Sequence, residues 1–101
     1  DLDDHEPYLD WSYIYYEQGN YEKAIDILDE GMNAFGEEAD LYYRKTAYLI
    51  EAGRYKEAFN YLENALILDF DSHVQLLEFF PKLETQKALF KIIDQYRNNK
   101  S

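Results

Sequence analysis

The sequence predicts an all-helical fold, a solenoid built from helix hairpins. A ten-residue stretch occurs twice, as GNYEKAIDIL from Gly19 to Leu28 and as GRYKEAFNYL from Gly53 to Leu62. The matching glycine, tyrosine, alanine and leucine stand 34 residues apart, a period typical of repeats that each contain two helices. Between the glycines, apolar residues recur at spacings of three and four, which places them on one side of an α-helix.

The first repeat, about residues 5–38, contains two predicted helices. Asp4 is a candidate N-cap, and the first helix carries an apolar stripe of Tyr8, Trp11, Ile14 and Tyr15. Gly19 ends this helix, and Asn20 can cap the second, since asparagine is among the residues preferred before a first helical turn. Gly36 ends the second helix.

The second repeat, about residues 39–72, follows the same plan, and Ala58 corresponds to Ala24 as a small residue that lets two helices approach closely. The third unit, about residues 73–98, keeps the apolar spacing but loses the repeated residues, as expected of a terminal capping hairpin. We expect a capping box of Ser72 and Gln75, an end of the fifth helix at Pro81 and a last helix from about Thr85. Residues 1–101 are thus predicted to form one domain of six helices.

The charge distribution limits the classes of partner. The 101 residues carry a net charge of -11, and residues 1–40 hold 13 acidic residues against Lys23 alone, whereas residues 41–101 hold 8 acidic and 9 basic residues. Such a chain repels phosphate backbones, so nucleic acid is not an expected partner. The acidic cluster of Glu6, Asp10, Glu17 and Asp40 either steers a basic partner or is a solvated face that aids solubility.

The sequence gives coarse predictions of where the protein is located and of whether the chain is part of a longer protein. No apolar run reaches the roughly 20 residues of a membrane-spanning helix, and the start DLDDHEP does not resemble a signal peptide, so we expect no membrane insertion and a cytoplasmic protein. The first residue is not methionine, so we expect a fragment of a longer protein, and a targeting segment could be missing.

The sequence offers no motif for catalysis or for a cofactor. It has no cysteine, its two histidines have no second nitrogen or sulfur ligand at metal spacing, and its glycines do not stand in a phosphate-binding frame. Asp71, Ser72 and His73 have the residue types of a catalytic triad, but consecutive residues at a helix start do not face one another. We therefore expect a non-enzymatic protein without cofactor or metal.

The repeated residues resemble the tetratricopeptide repeat (TPR) family. The first repeat matches its pattern with Tyr8, Ser12, Tyr15, Gly19, Tyr21, Ala24, Leu28 and Gly31, and the second with Tyr42, Thr46, Leu49, Gly53, Tyr55, Ala58, Leu62 and Ala65. Lys45 departs from the family's leucine, so its side chain must reach out to solvent or its packing must be looser. The tail from Asp69 through Phe79 to Pro81 is similar to the C-terminal ends of repeat proteins common in some bacteria.

This resemblance implies a right-handed superhelix whose first helices line a concave groove for a peptide or a partner helix. Carrying over the family's groove positions gives Glu6, Leu9, Tyr13, Tyr16, Asp40, Tyr43, Ala47 and Ile50. We expect Tyr13, Tyr16 and Tyr43 to contact a basic or apolar ligand, unless these rings pack on each other or under an adjacent repeat. The family's carboxylate clamp of Lys, Asn and Arg is absent.

The alternative interpretation is structural. The chain would be the C-terminal cap of a longer solenoid, with no ligand of its own and with its tyrosine-rich face buried against a preceding repeat. In that case the isolated chain would expose an apolar face and self-associate through its N-terminal hairpin.

Overall fold

The computed structural model describes residues 4–100, with side chains as far as Asn98, and this part of the chain is all helical. Its elements are α1 (Glu6–Glu17), α2 (Tyr21–Phe35), α3 (Ala39–Glu51), α4 (Tyr55–Leu68), a 3-10 turn (Phe70–His73), α5 (Val74–Leu77) and α6 (Leu83–Lys100). The prediction of an all-helical chain is therefore confirmed. The ends of the predicted domain, residues 1–3 and 101, lie outside the described residues.

Glycine turns connect the helices of the first two hairpins. Gly19 and Gly53 have backbone φ angles of +79° and +77°, which an L-amino acid with a side chain rarely adopts. Each glycine follows the last turn of a helix and precedes a single residue before the next one. Because the connections are so short, α1 packs back on α2, and α3 packs back on α4.

The predicted helix caps are only partly correct. Asn20 caps α2 as expected, since its side-chain oxygen accepts a hydrogen bond of 3.3 Å from the backbone N–H of Lys23. At α1 the N-cap position is held by His5, and Asp4 lies one residue earlier, where its carboxylate accepts a hydrogen bond of 3.0 Å from the Glu6 N–H. Asp4 thus still satisfies one of the free N–H groups of the first turn.

The helices pack in chain order around one core. α3 lies on α2 as well as on α4, and α6 rests on α4. Ala24 and Ala58 are fully buried, as expected of small residues where helices approach closely. The core also contains large aliphatic side chains that are almost completely buried, among them Leu28, Leu41, Leu49, Leu62 and Leu66.

The third unit departs from the predicted plan. The capping box is wrong, because the Ser72 hydroxyl donates to the Asp69 carboxylate three residues earlier (2.6 Å) and a 3-10 turn forms before the helix. α5 spans only four residues and ends before Pro81 is reached. α6 begins earlier than Thr85, since the Lys82 carbonyl already accepts the N–H of Gln86 (3.1 Å).

Among residues 4–100, no helix combines the length and the apolar character needed to cross a bilayer.

Candidate functional site

The centre of the predicted groove is occupied by the chain's own Phe79. Its ring packs edge-on against Tyr16 and Tyr48, with ring centroids 5.4 and 6.1 Å apart, and it also contacts Tyr13 at 6.2 Å. On the remaining side, the guanidinium carbon of Arg44 lies 4.9 Å from the centre of the Phe79 ring. The segment after α5 therefore closes the space between α1 and α3 that the resemblance implies is open.

Leu9, Tyr43 and Ala47 are buried in the core, so the expectation that these groove residues are exposed is wrong. For Tyr43 and Ala47, which lie on α3, the reason is that the 3-10 turn and α5 pack directly on that helix. The Tyr43 hydroxyl donates a hydrogen bond of 2.7 Å to the Asp69 carbonyl, and burial raises the pKa of Tyr43. Tyr43 thus ties α3 to the start of the third unit, and the buried side chains of all three residues cannot touch a partner in this conformation.

The tyrosines of α1 differ from each other in exposure. Tyr16 is partly buried and stacks on Tyr48 with ring centroids 4.9 Å apart. Burial, together with the negative charge of Glu51, raises the pKa of Tyr16 to about 12. Tyr13 remains exposed, as the sequence predicts, and lines a surface pocket of about 390 Å³ with Asp10, Arg44, Glu78 and Phe79. Tyr13 is thus the predicted ligand contact with the most free surface.

Asp40 joins α1 to the third unit and is already engaged. Its carboxylate lies 3.0 Å from His5 Nε2 and accepts a hydrogen bond of 3.1 Å from Gln75. Burial opposes both charged forms, but the hydrogen bond and the opposite charges prevail, so the pKa of Asp40 is lowered and that of His5 is raised. His5, Glu6 and Asp40 each bring a possible metal-ligand atom within 4.8 Å of the others. The hydrogen bond to Asp40 accounts for the position of His5, and we assign no metal here.

Ile50, the last predicted groove residue, is partly buried at the edge of a second pocket. This pocket has a volume of about 420 Å³, and Phe79, Phe80 and Pro81 also line it. The segment after α5 thus also lies beside Ile50, at the end of the predicted groove.

A second surface of α1, which meets the Tyr13 pocket at Asp10, is open. Asp10, Trp11, Ile14 and Glu17 are all exposed and follow one side of the helix at spacings of three and four. Two carboxylates therefore flank the apolar pair of Trp11 and Ile14. We call these four residues the α1 end face.

Two of these four positions are buried one period later. Trp11 is 43% exposed and Ile14 54%, whereas Lys45 and Tyr48, which stand 34 residues further along, are 6% and 0% exposed. Tyr48 is covered by α1, where its hydroxyl makes a hydrogen bond of 3.0 Å with that of Ser12. Within the α1 end face, the positions of Trp11 and Ile14 are thus the ones that are buried in the second hairpin, whereas those of Asp10 and Glu17 correspond to the partly buried Arg44 and the exposed Glu51.

Lys45 shows which contacts the position of Trp11 makes in the second hairpin. Its ammonium group donates to the Asp29 carboxylate of α2 at 2.6 Å and to the Tyr61 hydroxyl of α4 at 2.9 Å. The ammonium also lies 4.1 Å from the centre of the Tyr61 ring. The side chain of Lys45 is therefore buried and paired with two partly buried partners, where the sequence led us to expect solvent contact or loose packing.

Two features of this site were missed from the sequence. Phe79 gave a local signal, since two phenylalanines before Pro81 suggest a segment that must bury apolar surface. Nothing in the pattern indicates that this segment turns back over α1 and α3. The second missed feature is the opposite burial of Ile14 and Tyr48, which have the same position in the repeat. Tyr48 is covered both by α1 of the hairpin before it and by Phe79, whereas Ile14 is 54% exposed.

Comparison of the chain with protein-family models, with curated proteins and with solved structures gave no match in any of the three.

Proposed function

We propose that this chain is a non-enzymatic protein-interaction module, a short TPR-like solenoid whose α1 end face packs against a helical hairpin. The observation that supports this function is the contrast between Ile14, which is largely exposed, and Tyr48, which is fully buried at the same position of the repeat. A hairpin placed before α1 would cover Trp11 and Ile14 in the way that the first hairpin covers the second.

The expected energy is that of a modest apolar contact. Complete burial of a large apolar side chain contributes about 1.5–3 kcal/mol. Because roughly half of Trp11 and of Ile14 is already covered, the two together would contribute about 2 kcal/mol from apolar area. Asp10 and Glu17 at the border would favour basic residues in the partner and disfavour acidic ones.

This proposal has two forms, which differ in the origin of the hairpin that covers the α1 end face. A hairpin from another protein makes the chain a binding module, whereas a hairpin from the same polypeptide makes it the cap of a longer solenoid. Peptide binding in the concave groove has less support, since Phe79 fills the centre and Leu9, Tyr43 and Ala47 are buried. Binding in the groove is proposed only for the pocket beside Tyr13 and Arg44.

The test is affinity capture from a lysate of the source organism with four forms of the chain. These are the parent, a Trp11→Ser/Ile14→Asp variant, a Tyr13→Ala variant and a matched control, Ile67→Ser/Val74→Ser, which alters equally exposed apolar residues elsewhere. Each form must first show the helical circular dichroism of the parent.

A protein retained by the parent and the control but lost by the Trp11→Ser/Ile14→Asp variant would support the proposed function. Loss only with Tyr13→Ala would favour the groove pocket. Identical captures with all four forms would contradict both sites.

A further inference from the structure

We infer that the Phe79 side chain is a gate in the groove between α1 and α3, and that it gives way to an aromatic side chain of a peptide partner. This site goes beyond the proposed function, which uses the α1 end face. Such a gate requires that the ring can leave the groove while the third unit stays folded. It also requires that the space which the ring leaves selects another ring.

Phe79 lines both pockets of the groove. The first pocket has a volume of about 390 Å³ and the second of about 420 Å³, and Phe79 is the one residue that their described linings share. Each volume lies at the lower end of the roughly 300–1,000 Å³ that is usual for ligand sites. Rotation of this single side chain out of the groove would therefore join the two pockets into one continuous site.

The backbone on either side of the gate is anchored independently of the ring. Phe80 is only 5% exposed, and its carbonyl accepts a hydrogen bond of 2.8 Å from the side-chain amide of Gln86. The N–H groups of Phe79 and Phe80 donate to the carbonyls of Leu76 and Leu77, at 3.2 and 3.0 Å. Leu76 is itself buried in the core. Displacement of the Phe79 ring therefore needs a side-chain rotation and no movement of α5.

The ring is held by contacts that a ligand can replace. Phe79 is partly buried, and within the part of the chain that the structure describes no hydrogen bond joins residues 78–81 to α1 or α3. The ring packs edge-on against Tyr16 and Tyr48 and lies under the Arg44 guanidinium. Each of these contacts is weak alone, and another aromatic ring can make all three. The chain's own segment thus shows which side chain the groove accepts.

The charges beside the gate favour basic residues next to the partner's ring. Asp10 and Glu78 line the first pocket, and both are exposed without an ion pair to any described residue. Arg44 lines the same pocket, but its guanidinium already packs on the gate. The second pocket has one charge of each sign, Glu51 and Lys82, and adds no preference. Because the two free carboxylates attract cations and repel anions, we expect an aromatic residue flanked by lysine or arginine.

A gate of this kind lowers the affinity of the groove without abolishing binding. The minor, open state of such an equilibrium is typically populated at about 0.1–10%. The apparent affinity of a ligand falls by the same fraction, so removal of the Phe79 ring should strengthen binding at least about tenfold.

The test consists of two NMR measurements on the whole chain. Relaxation dispersion of the parent detects a minor state that exchanges in microseconds to milliseconds. A titration then compares the parent with a Phe79→Ala variant, using the peptide GKFKG and two matched peptides, GKAKG without the ring and GEFEG with acidic flanks. Phe79→Leu is a second variant that retains more apolar volume. Phe90→Ala is the matched control, because Phe90 is exposed on α6 and lines neither pocket of the groove.

The parent should show dispersion at the residues that line the two pockets, and Phe79→Ala should abolish this dispersion. Phe79→Ala should bind GKFKG at least about tenfold more tightly than the parent and the Phe90→Ala control do, with Phe79→Leu between them. The Phe79→Ala variant should bind both GKAKG and GEFEG more weakly than GKFKG.

A flat dispersion profile in the parent would show that the ring does not leave the groove, which would overturn the inference. Equal affinities of the parent and Phe79→Ala for GKFKG would overturn it as well, and so would equal affinities of Phe79→Ala for GKFKG and GKAKG. Tighter binding of GEFEG than of GKFKG would refute the basic partner. None of these outcomes bears on the proposed function, because Trp11 and Ile14 are unchanged in every variant.

Discussion

Replacing Phe79 by alanine should reopen the groove at a measurable cost in stability. Truncating a fully buried phenylalanine costs about 3–5 kcal/mol, and Phe79 is only partly buried, so we take about half of that value. The remaining loss comes from the edge-on contacts with Tyr16 and Tyr48 and from the Arg44 guanidinium 4.9 Å from the ring, which contribute about 0.5–1.5 kcal/mol each when intact. Since these contributions overlap, we expect a total of about 2–3 kcal/mol.

The assay is urea unfolding followed by far-ultraviolet circular dichroism, at a concentration low enough to keep the chain monomeric. Phe90→Ala is the matched control, because Phe90 is exposed on α6 and its removal should cost under about 1 kcal/mol. Phe79→Leu should recover part of the loss, since it restores apolar volume without the ring. A Phe79→Ala cost no larger than that of Phe90→Ala would refute the packing of this segment on α1 and α3.

Three further predictions concern the contacts between hairpins. Asp29→Asn should lower the unfolding free energy by about 1–2 kcal/mol, less than for a fully buried pair because Asp29 is half exposed. Lys45→Met should be neutral or slightly stabilising, because it removes the buried charge itself. Urea unfolding measures both, and equal losses would show that the charge pair itself stabilises the fold. Because the pKa of His5 is raised in the folded state, its contribution to the unfolding free energy is complete below about pH 6.5 and is lost as the pH rises through the folded pKa. The pKa of Asp40 is lowered, so its contribution to the unfolding free energy is lost as the pH falls below about 3.8. His5→Asn should remove the loss of thermal stability just above pH 6.5, and an unchanged pH profile would contradict this. Ala58→Leu should overpack the α3–α4 hairpin and cost about 1–3 kcal/mol, and an unchanged melting curve would mean that the assumed position of Ala58 is wrong.

The repeated stretch was sufficient to predict the first two hairpins. Glycine at positions 19 and 53, the cap at Asn20 and the buried alanines are local features, determined by backbone conformation and by the spacing of apolar residues. Such features depend on neighbours within one or two helical turns, and these neighbours can be read from the sequence.

The third unit was predicted less well because its structure depends on distant contacts. Ser72 is a residue type that caps helices, and it stands three residues before Gln75 as a capping box requires. Its hydroxyl, however, donates its hydrogen bond to the nearby Asp69 carboxylate. Tyr43 has the position of a groove residue, and whether it is exposed depends on the path of the chain after Leu68. The local sequence pattern does not show which of two nearby polar groups a hydroxyl will bind. It also does not show the direction in which a segment folds back.

The charge pair of Lys45 and Asp29 illustrates the same limit. A lysine at an apolar repeat position suggested loose packing or an exposed side chain, since a charged group is rarely buried without a partner. Its partners, Asp29 and Tyr61, each stand 16 residues away in the sequence, on α2 and α4. Only the packing of α3 between these two helices brings the three side chains together.

The most direct test of an open α1 end face is a comparison of Ile14→Ala with Tyr48→Ala by urea unfolding of dilute protein. The two residues have the same position in the repeat, yet one is 54% exposed and the other fully buried. We predict a loss under about 1 kcal/mol for Ile14→Ala and about 3–5 kcal/mol for Tyr48→Ala. Similar losses for both would mean that Ile14 is already packed within the monomer, and the α1 end face would then not be free to bind a partner.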